Sequence, residues 1–187
     1  SARPASLLVI FGATGDLAQR MLLPSMYSLY RDGLLPDDVR ILGTARSELD
    51  DAGFRASVAE ALAKRVAATD RDTASIQRFL EIVHYQAAAI DDAAAAKALT
   101  DRVRAMTRCD VVYHLSTAPR FYAPICHLLG AAGLAGPGTR VMLEKPIGHD
   151  LGSAITINDG VTRVFDETRV FRVDHYLGKE GVQNLLA

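Results

Sequence analysis

The feature that most constrains this chain lies near its start. An unbroken apolar run, Leu7–Phe11, passes straight into Gly12-Ala13-Thr14-Gly15-Asp16-Leu17-Ala18 and then into a helical pattern that reaches Arg31. A strand this uniformly apolar is buried on both faces, which in a soluble protein means the interior of a parallel sheet with helices above and below. The loop residues match that setting. Gly12 permits the tight turn out of the strand, Gly15 lets backbone be approached closely, and small Ala18 lets the helix lie near the strand.

The rest of the chain repeats the alternation. Apolar runs at Val39–Gly43, Glu81–Tyr85, Val111–Leu115, Arg140–Leu143 and Arg169–Val173 read as strands. Helical patterns fall at Asp16–Arg31, Ala52–Ala67, Asp92–Met106, Phe121–Ala132, Gly152–Val164 and Gly178–Leu186. Successive βα units of this kind wind around a parallel sheet, so the expected fold is α/β, a Rossmann-like doubly wound parallel sheet. Phe54, Val58, Leu62 and Val66 recur every fourth residue, an apolar stripe that should face the sheet. The alanine-rich run Ala87–Ala98, with Asp91 and Asp92 near its start, reads as helix with favourable terminal charge. Gly and Pro between Gly133 and Gly138 mark a surface turn.

With 187 residues and no convincing linker, the whole span 1–187 is expected to be one domain. Its 49% hydrophobic and 23% charged residues suit a globular protein. The net charge is −1, from 21 basic and 22 acidic side chains, and no basic block suggests a nucleic-acid partner. The chain shows neither the apolar length of a membrane span nor the apolar core of a signal peptide, so the expected compartment is the cytoplasm. Cys109 and Cys126 match no zinc spacing and read as buried thiols of a reducing compartment, with no metal expected.

A glycine loop between a strand and a helix start is the setting in which backbone N–H groups and the helix dipole receive a pyrophosphate, so a dinucleotide is expected over Gly12, Ala13, Thr14, Gly15, Asp16 and Leu17. Asp16 reads as a capping carboxylate at the helix start. The second strand should end at the ribose of such a ligand, and that corner reads Gly43-Thr44-Ala45-Arg46-Ser47. Where NAD-binding folds usually carry an acid, Arg46 can pair with a 2′-phosphate, which favours NADP over NAD. Thr14 can add a hydroxyl to the same phosphate.

Two later clusters also fall at strand ends, where open α/β sheets place ligands. They are Glu144-Lys145-Pro146-Ile147-Gly148 and Asp174-His175-Tyr176-Leu177-Gly178-Lys179-Glu180. Lys145, His175, Tyr176 and Lys179 would supply donors and positive charge to an anionic substrate, and Asp174 could orient a histidine.

The runs GATGDLA, EKPIG and RVDHYLGKE, with STAPRFY at Ser116–Tyr122, resemble the glucose-6-phosphate dehydrogenases from Leu7 to the last residue. The resemblance implies NADP as coenzyme and glucose 6-phosphate as substrate, oxidised to 6-phosphogluconolactone. It implies that Lys145 contacts both, that Pro146 follows a cis peptide, and that His175, Tyr176 and Lys179 hold the sugar phosphate. Asp174 would orient the base, Arg46 and Thr14 would meet the 2′-phosphate, and Tyr113 would lie near the coenzyme. In the family the base is a histidine of a second α+β domain, which is absent from this chain. Half an active site is therefore expected, the chain alone inactive, with a homo-oligomer for the full-length protein and exposed apolar surface where the second domain packs. His84, His114, His127 and His149 do not replace that base, His149 being the one read as near the cluster. Ala89 and Ile90, where relatives tend to be acidic, can offer only backbone or apolar contact. Two rivals stand beside this reading. A short-chain reductase would need a tyrosine followed four residues later by lysine, a spacing absent here, and a free-standing NADP-binding module would need a native chain that stops at Ala187.

Overall fold

A computed structural model describes residues 5–108 and 110–174. Strand β1, Ala5–Phe11, is buried at every residue. Around it stand β2 (Arg40–Ala45), β3 (Val83–Ala87), β4 (Asp110–Leu115), β5 (Thr139–Glu144) and β6 (Val170–Val173), in the order β3-β2-β1-β4-β5-β6 with every pairing parallel. The order reverses between β1 and β4. Carboxyl ends on either side of that point splay apart, and the crevice so formed is where such sheets bind ligands.

Because side chains alternate along a strand, β1 feeds two cores. Leu8 and Ile10 pack with α1 (Leu23–Arg31), α2 (Asp51–Arg65) and α3 (Thr73–Glu81) on one face. Leu7, Val9 and Phe11 pack with α4 (Ala93–Met106), α5 (Tyr122–Ala131) and α6 (Leu151–Thr162) on the other. The expected α2 stripe is real, with Phe54, Val58 and Leu62 fully buried and Val66 nearly so. Aspartates start four of the helices, Asp50, Asp72, Asp92 and Asp150 each accepting a backbone N–H of the first turn. Such caps satisfy amides that no intrahelical carbonyl can reach.

Several boundaries depart from the sequence reading. Helix α3 was not expected, yet Asp72 caps it and Phe79 is fully buried beneath it. Its last turn takes Glu81, so β3 begins at Val83 and not at Glu81. The alanine-rich run is not helical throughout. Ala87 ends β3, and the helix starts only after the Asp92 cap. The first helix contains a π-helical turn, Ala18–Leu22, before α1 proper. The expected helix Gly178–Leu186 lies outside the described residues.

The β3 edge is closed by side chains of α2. Asp51 accepts the Tyr85 amide at 2.7 Å and Arg55 donates to the Val83 carbonyl at 2.8 Å, which removes open backbone groups from the edge. Asp51 also meets His84 Nδ1 at 3.4 Å and Arg102 of α4 at 3.0 Å. Burial opposes ionisation of Asp51, but the Tyr85 amide, His84 and Arg102 outweigh it and hold the carboxyl below its ordinary value. Burial lowers the pKa of His84, against the pull of Asp51.

Candidate functional site

At the carboxyl end of β1 the chain turns through Gly12, whose φ of 77° lies in the left-handed region. A Cβ there would stand 2.2 Å from the Ser116 carbonyl oxygen, so glycine is required by both torsion and space. The Gly12 and Ala13 amides donate to the Thr44 carbonyl at 2.9 and 3.2 Å, and the Gly15 amide closes the turn on the Gly12 carbonyl at 2.9 Å. Gln19 donates to the Ala13 carbonyl at 2.8 Å and is itself held by Ser57 of α2. Ala18 is fully buried, as its small size anticipated. Ala13 is fully buried too, so it offers a ligand only backbone. Asp16 pairs with Arg20 one turn on, at 3.1 Å. Leu17 lies on the same rim, half-buried.

The end of β2 comes to this loop. Thr14 Oγ1 lies 3.0 Å from Ser47 Oγ, which joins the glycine loop to the turn carrying Arg46. Arg46 is exposed, as is Glu48 two residues on. Beneath the turn Tyr85 donates to the carbonyls of Ser47 at 2.8 Å and Ala45 at 3.2 Å. Burial, with the Glu48 charge, raises the Tyr85 pKa, so the hydroxyl stays protonated as a donor. Sequence reasoning named Thr14 and Arg46 at this corner but not Ser47 or Tyr85, whose contacts join chain segments more than thirty residues apart.

Across the switch point lies a cleft of about 360 Å³, walled by residues 15–17, the loop 116–119 after β4, Tyr122, residues 144–146, Gly148 and His149. The expected cis peptide joins Lys145 to Pro146. Lys145 Nζ stands 3.5 Å from Asp174, both side chains about half exposed, and its amide donates to the Val173 carbonyl at 3.0 Å. The Tyr122 hydroxyl, its pKa pushed up to about 12 by burial, donates to the Glu144 carbonyl at 2.9 Å. Inside the wall His114 Nε2 meets Glu144 Oε1 at 3.0 Å, so His114 lies closer to the site than the sequence reading placed it.

Tyr113, expected beside the coenzyme, is a core residue. Alternation along β4 turns it away from His114, it is fully buried, and its hydroxyl donates at 2.9 Å to Leu134 in the turn leading into β5. His175, Tyr176 and Lys179 lie outside the described residues. Cys126 is buried, its thiol pushed up to about 12 by desolvation, and Cys109 is outside the described residues.

Four buried polar atoms at this end of the sheet have no hydrogen-bond partner among the described residues: Thr44 Oγ1, His114 Nδ1, Ser116 Oγ and Thr117 Oγ1. Buried polar groups are normally satisfied, so Ser116 Oγ and Thr117 Oγ1, whose residues line the cleft, fit a polar ligand or the waters that accompany one. The glycine loop, the free first-turn amides of the helix and the flanking hydroxyls suit a pyrophosphate with a nucleoside on each side.

Comparison with known proteins gives the same direction. The family described as glucose-6-phosphate dehydrogenase, NAD binding domain, matches residues 9–184. A glucose-6-phosphate 1-dehydrogenase from Zymomonas mobilis is 48% identical over 181 residues, which cover 97% of this chain and 37% of that protein. One from Mycolicibacterium smegmatis is 46% identical, covering 95% and 37%. Among solved structures, the Mycobacterium avium glucose-6-phosphate 1-dehydrogenase superposes with a TM-score of 0.83 at 33% identity, covering 94% of this chain and 37% of that one. A glucose-6-phosphate dehydrogenase in complex with its substrate glucose-6-phosphate gives 0.84 at 31%, covering 99% and 40%. The chain spans little more than a third of the length of these relatives.

Proposed function

Because the chain belongs to the glucose-6-phosphate dehydrogenase family and matches its NAD-binding domain, we propose that residues 1–187 form the coenzyme domain of an NADP-dependent glucose-6-phosphate dehydrogenase. The ligand class of the cleft is a nicotinamide dinucleotide. The observation that carries the reading is the cleft at the switch point, which joins the glycine loop to the Lys145–Asp174 pair.

In this reading the coenzyme, when bound, accepts hydride from the sugar phosphate as glucose 6-phosphate becomes 6-phosphogluconolactone. The chain's own residues bind and orient. Amides of the loop 12–17 receive the pyrophosphate, with Ala13 acting through backbone alone. Arg46, Thr14 and Ser47 meet the 2′-phosphate, where a guanidinium adds a charge-assisted contact. Lys145 reaches from the cleft wall toward both ligands, and His175, Tyr176 and Lys179 hold the sugar phosphate. Asp174 orients the base histidine supplied by the second α+β domain. Until that domain is present the Asp174 carboxylate is held by Lys145. Tyr113 has no part in the site.

The rest of the protein completes the reaction, so this stretch alone binds coenzyme without turnover. Leu151 and Ile155, exposed by 77% and 52% one turn apart on α6, are apolar surface for the second domain to cover. The full-length protein is a homo-oligomer of the cytoplasm. Among the described residues no helix is long and apolar enough to cross a membrane.

Thermal unfolding with added NADP⁺ tests the binding claim. Ligand at a hundred times its Kd stabilises by about 2.7 kcal/mol, a rise of roughly 5–10 °C for a domain of this size. An unchanged midpoint at millimolar NADP⁺ would count against the proposal.

A further inference from the structure

A histidine and a glutamate are buried together near the carboxyl ends of β4 and β5. His114 and Glu144 have side chains only 2% and 11% exposed, with Nε2 and Oε1 3.0 Å apart. Where the carboxylate is ionised it can only accept, so Nε2 is the donor of this bond. Nδ1 has no partner among the described residues. Taking both groups out of water is costly. The pair therefore calls for a role beyond packing.

The role follows from what Glu144 carries. It is the last residue of β5 and the first of the cleft wall, and Lys145 is its neighbour. Its carbonyl is held by Tyr122, the next amide by Val173, and its side chain by His114. His114 is the one of the three that comes from β4, across the switch point from the glycine loop. It shares the sheet face of Val112 and Met142, in the core that also holds Ala18 at the helix start. A shift of the imidazole would be felt at the wall where Lys145 stands.

We propose that His114 is a positioning residue for the nicotinamide half of the coenzyme site, acting through Glu144 to fix the Glu144–Lys145 wall of the cleft. The inference rests on the proposed function. A dinucleotide crosses the switch point with its adenosine half over β1 and β2 and its other half over β4 and β5. The Arg46 corner and the Glu144 wall are then three strand spacings apart, about 14 Å. Separated sites respond independently, which makes the role testable by ligands that reach one or both of them.

The test compares NADP⁺ with 2′,5′-ADP, which lacks the nicotinamide half, by calorimetric titration of this chain. For His114→Leu the expected result is a loss of NADP⁺ affinity of about tenfold or more with 2′,5′-ADP affinity kept within about twofold. His114→Gln, whose side-chain amide can donate where Nε2 does, should restore NADP⁺ binding. The double variant His114→Leu/Glu144→Met leaves no unpaired charge and should fold and show the same selective loss. Parallel loss of both ligands, with no rescue by glutamine, would reduce the pair to a structural role and overturn the proposal. Unchanged NADP⁺ affinity in the leucine variants would also overturn it. If the unsubstituted chain bound neither ligand, the proposed function itself would fall, a result distinct from either of these.

Discussion

Replacing Gly12 by alanine separates the two reasons a glycine is needed there. Gly33 serves as the control, because it too is left-handed, with φ 68° against 77°, but a Cβ on it meets nothing within 4 Å. An L residue in that region costs about 1–2 kcal/mol. The entropy that alanine removes from the unfolded chain, about 0.4–1 kcal/mol, is the same at both sites and cancels. What remains is contact. At Gly12 the new methyl would stand 2.2 Å from the Ser116 carbonyl oxygen and 2.9 Å from Thr117 Cγ2. The first is backbone at the end of β4 and cannot yield without disturbing the β1–β4 ladder, so an overpacking cost of about 1–3 kcal/mol is added. Urea unfolding followed by circular dichroism should place Gly12→Ala below Gly33→Ala by that margin, or by roughly 2–12 °C in thermal midpoint. Equal destabilisation of the two variants would refute the close approach of the loop to β4.

Two further outcomes follow from the buried groups. The His84 pKa is lowered by burial from its ordinary 6.5, so the folded protein binds fewer protons than the unfolded chain just below that pH. Stability is therefore full above 6.5 and drains as pH falls through the folded value, with Asp51 draining further below its ordinary 3.8. Urea midpoints measured from about pH 7.5 to about pH 5 should fall for the unsubstituted chain and flatten for His84→Gln, and an identical slope in both would reject the assignment. Cys126, its thiol pushed up to about 12, should resist iodoacetamide at mild alkaline pH until the protein unfolds. Labelling of native protein at Cys126, read by peptide mass spectrometry, would contradict its burial.

The elements that the sequence revealed are those whose signal is local. The β1 run with its glycine loop, the α2 stripe and the Gly133–Gly138 turn each declare themselves within a dozen residues, and each stands where expected. Boundaries blurred where one composition serves two structures. Ala87–Ala98 is rich in alanine on both sides of Asp92, and the Asp92 cap tells strand end from helix start. Ile82 and Val83 are both apolar, but one follows a helix and the other begins a strand. Helix α3 was readable in principle, since Asp72 precedes Ile76, Phe79 and Leu80 at helical spacing. Within the site, the loop and Lys145 could be read from motifs. The His114–Glu144 contact and the Thr14–Ser47 contact could not, because each joins residues about thirty apart through sheet register. The available clue was a titratable residue inside an apolar strand, which buried parallel strands seldom carry. The family resemblance alone places Tyr113 near the coenzyme, and alternation along β4 turns its side chain into the core instead.

The most direct test of the central claim is a calorimetric titration of this chain with NADP⁺ and with NAD⁺, repeated on Arg46→Ala. The account predicts that NADP⁺ binds at least tenfold more tightly, about 1.4 kcal/mol, and that the preference disappears in the variant while NAD⁺ binding holds. Equal affinity for the two coenzymes in the unsubstituted chain, or a preference that survives the loss of Arg46, would contradict it.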